Sequence, residues 1–388
     1  MLKLNPNVTA IEEELAFSVL DRANTLKANG APVINLGIGQ PDFTPPRHIL
    51  EAAAKAVRDG PHGYTSPQGL PVLRDAVANY VGTRFQVPVS AEEIVIVPGG
   101  KVTFYFACQL FGGPGSQILY PDPGFPPYRD AARSSGATPV PYPIREDKDF
   151  GFDAEEVLAL ITPATRLLMI NSPANPTGGV VARDEMAKLA EGLLRHPQVA
   201  ILSDEIYSHL IFKGAEFTSF LAFPELRDRT IILDGWSKTF AMTGWRLGFG
   251  IWPRGLIDYV KKLITVDHSC TSVATQMAGL AAITGPMDEI EKFRQSFETR
   301  RDIVVEGLNA IKGVTCRKPG GAFYAFPNIK GTGWDSGDLA RALLDQAHVA
   351  LLQGESFGAN GKGFLRLSYA ASESDIRSAL GRMKSFIG

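Results

Sequence analysis

The chain is poor in cysteine and has nothing that pairs what it has. Cys108, Cys270 and Cys316 are the three in 388 residues, odd in number and far apart. That excludes a disulfide framework and suits a reducing compartment. The six histidines are equally scattered, so no spacing of cysteine or histidine supports a zinc or iron site. Surplus charge is missing too. Lys and Arg number 39 against 41 Asp and Glu, leaving a net charge of −2. A chain so balanced has no basic footprint for nucleic acid and no polybasic patch for a membrane surface. No apolar run is long enough to span a bilayer. The stretch MLKLNPNVTAIEEEL carries acidic residues where a secretory signal would be apolar, so the expected location is the cytoplasm. Repeats and low-complexity tracts are absent as well.

What is present is ordinary globular material, 45% hydrophobic and 21% charged. The length allows two domains, or one large domain with a satellite. Short β-rich runs alternate with longer helical patterns. Seven runs read as strands: Glu93–Pro98, Ser116–Pro121, Ala137–Tyr142, Arg166–Asn171, Val199–Asp204, Thr230–Asp234 and Arg246–Ile251. Several are almost continuously apolar, as strands covered on both faces are. Between them, Asp184–Arg195 places Met186, Leu189, Leu193 and Leu194 on one helical face. The alternation predicts an α/β fold with a mostly parallel sheet. The last two runs are joined by too short a link for a helical crossover, so one of them is expected to run antiparallel.

After about Leu256 the pattern changes. Helical periodicity covers Leu256–Val266, Val273–Ile283 and Met287–Ile311. Short strands are expected at Ala322–Pro327, Val349–Gly354 and Gly363–Ala370, with a helix between the first two and a closing amphipathic helix, Glu373–Phe386. The Gly-rich Lys330–Asp338 reads as a surface loop. This part is a smaller α+β domain.

Ligands of open α/β sheets bind outside the carboxyl ends of the strands. Four polar signals fall there: VPGGK (Val97–Lys101), NSPANPTG (Asn171–Gly178), SDEIY (Ser203–Tyr207) and DGWSK (Asp234–Lys238). Each alone is weak; their convergence on one sheet edge is informative. Lys238 lies among Trp236, Phe240, Met242 and Trp245. A loop lysine is ordinarily solvated, but apolar surroundings lower its pKa and turn the amine into a nucleophile toward an aldehyde. Asp204 closes an apolar strand. It reads as a turn residue or as a buried carboxylate that needs a cationic partner, such as a protonated pyridine nitrogen. Gly99 and Gly100 open a helical pattern and present N–H groups to an anion, or make a plain tight turn. Ser237 and Arg246 could complete a phosphate site. Arg366 either points to solvent by strand alternation or clamps a carboxylate. GIGQPD (Gly37–Asp42) fails as a dinucleotide fingerprint, because no helix opening and no third glycine follow.

Taken in order, NSPANPTG, SDEIY, SKTFAMTGWRLG and RLSYA resemble the class I/II aminotransferases, the fold-type I pyridoxal-phosphate enzymes. LGIGQPDF, GYTSPQG, VPGGK and GGAFYAF extend the resemblance to nearly the whole chain. The resemblance implies a large domain with a mostly parallel seven-stranded sheet over residues 41–285. It implies a small α+β domain over 286–388, to which an N-terminal arm, 1–40, contributes. Lys238 then matches the lysine that holds the cofactor as a Schiff base and moves the proton. Asp204 matches the partner of the pyridine nitrogen, and Tyr207 and Asn175 the partners of its phenolic oxygen. Gly99, Gly100, Lys101, Ser237 and Arg246 fall at the phosphate, and Phe125 at the ring-stacking position. Tyr64 resembles the tyrosine that reaches the partner subunit's phosphate, implying a homodimer with shared sites. Arg366, with Gly39 and Asn175, matches the grip on the substrate α-carboxylate. Gly235 departs from the family, where a serine often adds to the phosphate site.

The implied activity is ping-pong transfer of an amino group from an L-amino acid to a 2-oxo acid, 2-oxoglutarate being expected. Lys101 leans the donor toward aspartate or glutamate. Aromatic or alanine specificity, and C–S β-lyase chemistry on the same fold, are the alternatives.

Overall fold

The computed structural model describes residues 2–12 and 15–388. Met1, Glu13 and Glu14, part of the acidic N-terminal stretch, lie outside the described residues. The seven expected strands form one sheet. They are β1 (Ile94–Val97), β2 (Gln117–Asp122), β3 (Thr138–Pro143), β4 (Thr165–Asn171), β5 (Ala200–Asp204), β6 (Thr230–Gly235) and β7 (Gly248–Ile251). Their order is β1-β7-β6-β5-β4-β2-β3. β7 alone runs antiparallel, to both β1 and β6. The other neighbours are parallel. The short link that excluded a crossover therefore reverses the chain once, and β1 ends parallel with β4, β5 and β6. β7 starts later than expected, because Arg246 has φ +53 and sits in the turn ahead of the strand.

Strand alternation feeds two cores, one on each face of the sheet. Val95, Val97, Leu167, Met169 and Leu233 enter the first. Ile94, Ile96, Leu168, Ile170 and Ile232 enter the second. Burying each such side chain contributes about 1.5–3 kcal/mol, which is why these runs carry almost no polar residue.

In the helix Arg183–Leu193, Met186, Leu189 and Leu193 are buried as expected. Leu194 is not. It follows the last helical residue and is 51% exposed. Lys330–Asp338 is only partly a loop, since Asp335 caps the helix Ser336–Asp345 by accepting from the Gly337 and Asp338 amides. The C-terminal strands are shorter than their apolar runs: Tyr324–Ala325, Val349–Ala350, Leu352–Gln353 and Leu365–Ser368.

The N-terminal part joins this smaller unit. Ile34–Asn35 pairs in parallel with Val349–Ala350, and the helix Leu15–Ala28 packs against Val349–Ala350 and Leu352–Gln353. The helix Arg47–Asp59 instead packs on Val273–Thr284 beside the large sheet. Residues 36–40 thus cross between the units, over the carboxyl edge of the sheet.

Candidate active site

Because β1, β4, β5 and β6 are parallel, the loops that follow them open on one edge. A cavity of about 510 Å3 lies there. Gly100 and Lys101 enter it from the loop after β1 and the start of the helix Lys101–Phe111. Phe125 comes after β2, Asn175 after β4, Asp204 and Tyr207 from the end of β5, Ser237 and Lys238 after β6. Gly39 closes it from the crossing segment and Arg366 from the C-terminal unit. Gly99 stands behind this lining. It has φ +94, and a Cβ there would land on the Arg246 guanidinium, so the turn needs glycine for both reasons. Tyr64 is 91% exposed and outside the lining.

Lys238 lies in the short helix Trp236–Thr239, whose Trp236 is fully buried. Its Nζ donates to the Gly39 carbonyl oxygen at 2.7 Å. Burial, then the cations Arg366, Lys101 and Arg246, bring its pKa down to about 8 against the pull of Asp204. About a tenth of the amine is therefore unprotonated at pH 7, far more than for a solvated lysine, and this is the form that attacks a carbonyl carbon.

Asp204 is buried, and the Tyr128 hydroxyl donates to its Oδ2 at 2.6 Å. The Ile206 amide donates to Oδ1 at 3.1 Å. Burial raises its pKa to about 6, opposed by those two donors and by Lys238. Below it, Asn171 Nδ2 donates to the Asp204 backbone carbonyl, and Asn171 Oδ1 accepts from the Asn175 amide. Tyr207 shares a 2.8 Å hydrogen bond with the Tyr324 hydroxyl. Burial, then the neighbouring Tyr324, raises the Tyr207 pKa well above the usual phenol value.

Arg366 does not point to solvent; it is 3% exposed. Its guanidinium donates to the Gly37 carbonyl, and to Asn175 Oδ1 at 3.3 Å. Tyr324 and Phe357 each place a ring centroid 4.8 Å from its central carbon. Arg246 donates to the Thr243 carbonyl at 2.8 Å, and Lys101 Nζ lies 4.9 Å from the Phe125 ring centroid.

Tyr128, Asn171, Tyr324, Phe104 and Phe17 also line the cavity and were not singled out in the sequence. Asn171 and Tyr324 stand inside motifs that were quoted, NSPANPTG and GGAFYAF. Tyr128 and Phe17 carry no local signal. At Gly235 a Cβ would lie 2.7 Å from the Gly248 Cα of the paired strand. This backbone contact explains why a serine there would force β6 and β7 apart.

A family model, "Aminotransferase class I and II", matches residues 31–383. The chain belongs to the class I and II aminotransferases. It is 36% identical to an aspartate aminotransferase of Geobacillus stearothermophilus, covering 100% of this chain and 99% of that protein. A solved structure of the aspartate aminotransferase from Rhizobium meliloti superposes with a TM-score of 0.95 at 34% identity, over 100% of this chain and 99% of the other. The aromatic aminotransferase from Pyrococcus horikoshii OT3 superposes with a TM-score of 0.89 at 34% identity, over 95% of this chain and 98% of the other. The fold is that of the fold-type I enzymes, and the activity is pyridoxal-phosphate-dependent transamination.

The aminotransferase cavity has a donor set that fits this cofactor. Lys101, Lys238, Arg246 and Arg366 face it with a single carboxylate, Asp204, among the lining residues. Four cations against one anion suit a phosphate and substrate carboxylates. The buried Asp204 suits a cationic ring nitrogen, and the amine of Lys238 suits an aldehyde. Among the described residues no group of three or more His, Cys, Asp or Glu could hold a metal ion. Among them, too, no helix is long and apolar enough to cross a membrane. The three cysteines are free thiols.

Proposed function

We propose that this aminotransferase takes a dicarboxylic donor of the aspartate type and passes the amino group to a 2-oxo acid, 2-oxoglutarate, by ping-pong kinetics. The observation that carries the reading is the excess of cations over carboxylates around one buried amine. Arg246 stands for the phosphate and Arg366 for the α-carboxylate, and Lys101, beside the Phe125 ring, is the lining cation placed for a second carboxylate.

Bound pyridoxal phosphate supplies an aldehyde that condenses with amines and a ring that accepts the electron pair left by a departing α-proton. The chain does the rest. With the cofactor bound, Lys238 would be the residue that holds its aldehyde, and Lys238 Nζ would be the base for the substrate Cα proton. The Asp204 carboxylate would hold a protonated ring nitrogen; the Tyr128 and Ile206 donors favour the ionised form of Asp204 against its burial. Tyr207 and Asn175 would hold the phenolic oxygen, and Phe125 would stack on the ring. Ser237, Arg246, Gly99, Gly100 and the amino end of the helix Lys101–Phe111 hold the phosphate. Arg366, with Gly39 and Asn175, grips the α-carboxylate.

The same reading makes the enzyme a cytoplasmic homodimer in which Tyr64, exposed in the single chain, reaches the partner subunit's phosphate. The units divide at 1–40, 41–285 and 286–388, supported by the pairing of Ile34–Asn35 with Val349–Ala350 and by the packing of Arg47–Asp59 on Val273–Thr284. The test is a half-reaction screen. Holoenzyme is mixed with each amino acid, and cofactor absorbance is followed without an acceptor. Fast conversion is expected with aspartate and glutamate, and Lys101→Ala should slow these two more than phenylalanine or alanine. Equal slowing of all four donors overturns the assignment of Lys101.

A further inference from the structure

One buried carboxylate of the large unit reaches the C-terminal unit without entering the cavity. Asp122 is the last residue of β2 and is 4% exposed. Its Oδ2 accepts from the Ala359 amide and its Oδ1 from the Asn360 amide, both at 3.1 Å. Its backbone oxygen accepts from Asn360 Nδ2 at 3.3 Å. Two residues on, the Gly124 amide donates to the Phe357 carbonyl at 2.8 Å. The approach depends on Gly358, which has φ +131 and where a Cβ would land on the Asp122 carboxylate.

Both ends of this tie lead to the cavity. Phe125, three residues beyond Asp122, lines it. Phe357, the residue before Gly358, backs the Arg366 guanidinium. Burying a carboxylate is costly unless its acceptors are used, and here burial raises the pKa while the two amide donors oppose it. The backbone bond from Gly124 already holds the loop, so the charged group adds stiffness in a second direction.

We propose that Asp122 is a positioning residue for transamination. It fixes the turn 357–360 against the loop that carries Phe125, and so sets where Arg366 stands relative to that ring. The inference rests on the reading of Arg366 as the carboxylate grip. A displacement of about 1 Å in such a clamp costs up to about 100-fold in kcat/KM.

The experiment compares holoenzymes carrying Asp122→Ala, Asp122→Asn, Phe357→Leu, Arg366→Lys and the double change Asp122→Ala with Phe357→Leu. Asp122→Ala should raise KM for donor and acceptor by about tenfold, with kcat and cofactor absorbance close to those of the parent. Asp122→Asn should fall between, since its amide oxygen still accepts one N–H. The double variant should be no worse than the poorer single one, because both changes release the same clamp. A KM unchanged in Asp122→Ala while Arg366→Lys raises it overturns the positioning role alone. A KM unchanged in Arg366→Lys overturns the reading of the grip instead. Should Asp122→Ala fail to fold, Asp122→Asn with Phe357→Leu carries the same test, and independent, multiplying effects overturn the proposal.

Discussion

Lys238 and Gly39 are 199 residues apart in sequence, yet the lysine amine donates to the Gly39 carbonyl at 2.7 Å. The amine comes from the short helix that follows β6 and the carbonyl from the segment that crosses between the units. The contact ties the nitrogen to the backbone of the crossing segment.

Replacing that lysine should therefore abolish catalysis while leaving the fold. Lys238→Ala is expected to lower transamination by at least about 1,000-fold, the scale of losing a nucleophile and a general base together. Steady-state assay beside a thermal melt checks this. Retained activity would remove Lys238 from the mechanism.

Crowding at Gly39 gives a second expectation. A Cβ there would meet the Tyr324 hydroxyl directly. Gly39→Ala should lower kcat/KM by about 100-fold by displacing the carbonyl that receives Lys238. Adding Tyr324→Phe removes the clashing oxygen and should restore part of the loss. A double variant worse than Gly39→Ala would show that the hydroxyl is not what collides.

Tyr128 acts on Asp204 by favouring its ionised form. Removing the donor with Tyr128→Phe should raise the Asp204 pKa above its value of about 6. The acidic limb of the kcat/KM profile should move to higher pH by about one unit. An unmoved limb would mean that the hydroxyl only fills space.

Glu205 offers a stability test away from the chemistry. Burial raises its carboxyl to about 7, against donors from Phe220, Ser219 and Ser203. Its folded value exceeds its unfolded one, so its contribution is full at low pH and is lost as pH rises through about 7. Glu205→Gln removes the cost of ionisation. The variant should gain stability over the parent as pH goes from 5 to 8, by up to about 3 kcal/mol from a shift of this size. Thermal unfolding of the cofactor-free protein at both pH values measures it, and a gain independent of pH would contradict the sign.

The fold was legible because its strands announce themselves. Apolar runs such as Val199–Asp204 and Thr230–Asp234 need cover on both faces, and the short Gly235–Trp245 link allowed only a reversal. Local chemistry marked Lys238, Asp204 and Arg366 as charged side chains in apolar settings, each with an ordinary reading beside it, and all three line the cavity. Leu194 and Lys330–Asp338 were misread because helix ends are set by caps and packing that periodicity does not record.

The sequence by itself determined which elements form and which residue types end them, since both depend on neighbours a few positions away. Only the tertiary structure decided the partners: Tyr128 under Asp204, Tyr324 between Tyr207 and Gly39, Phe357 and Tyr324 against Arg366, Asp122 across to Ala359 and Asn360. Apart from Phe357 and Arg366, which are close in sequence, such pairs lie tens to hundreds of residues apart in the chain. Their distances come from how sheet, crossing segment and C-terminal unit pack, and no local pattern of side chains encodes that.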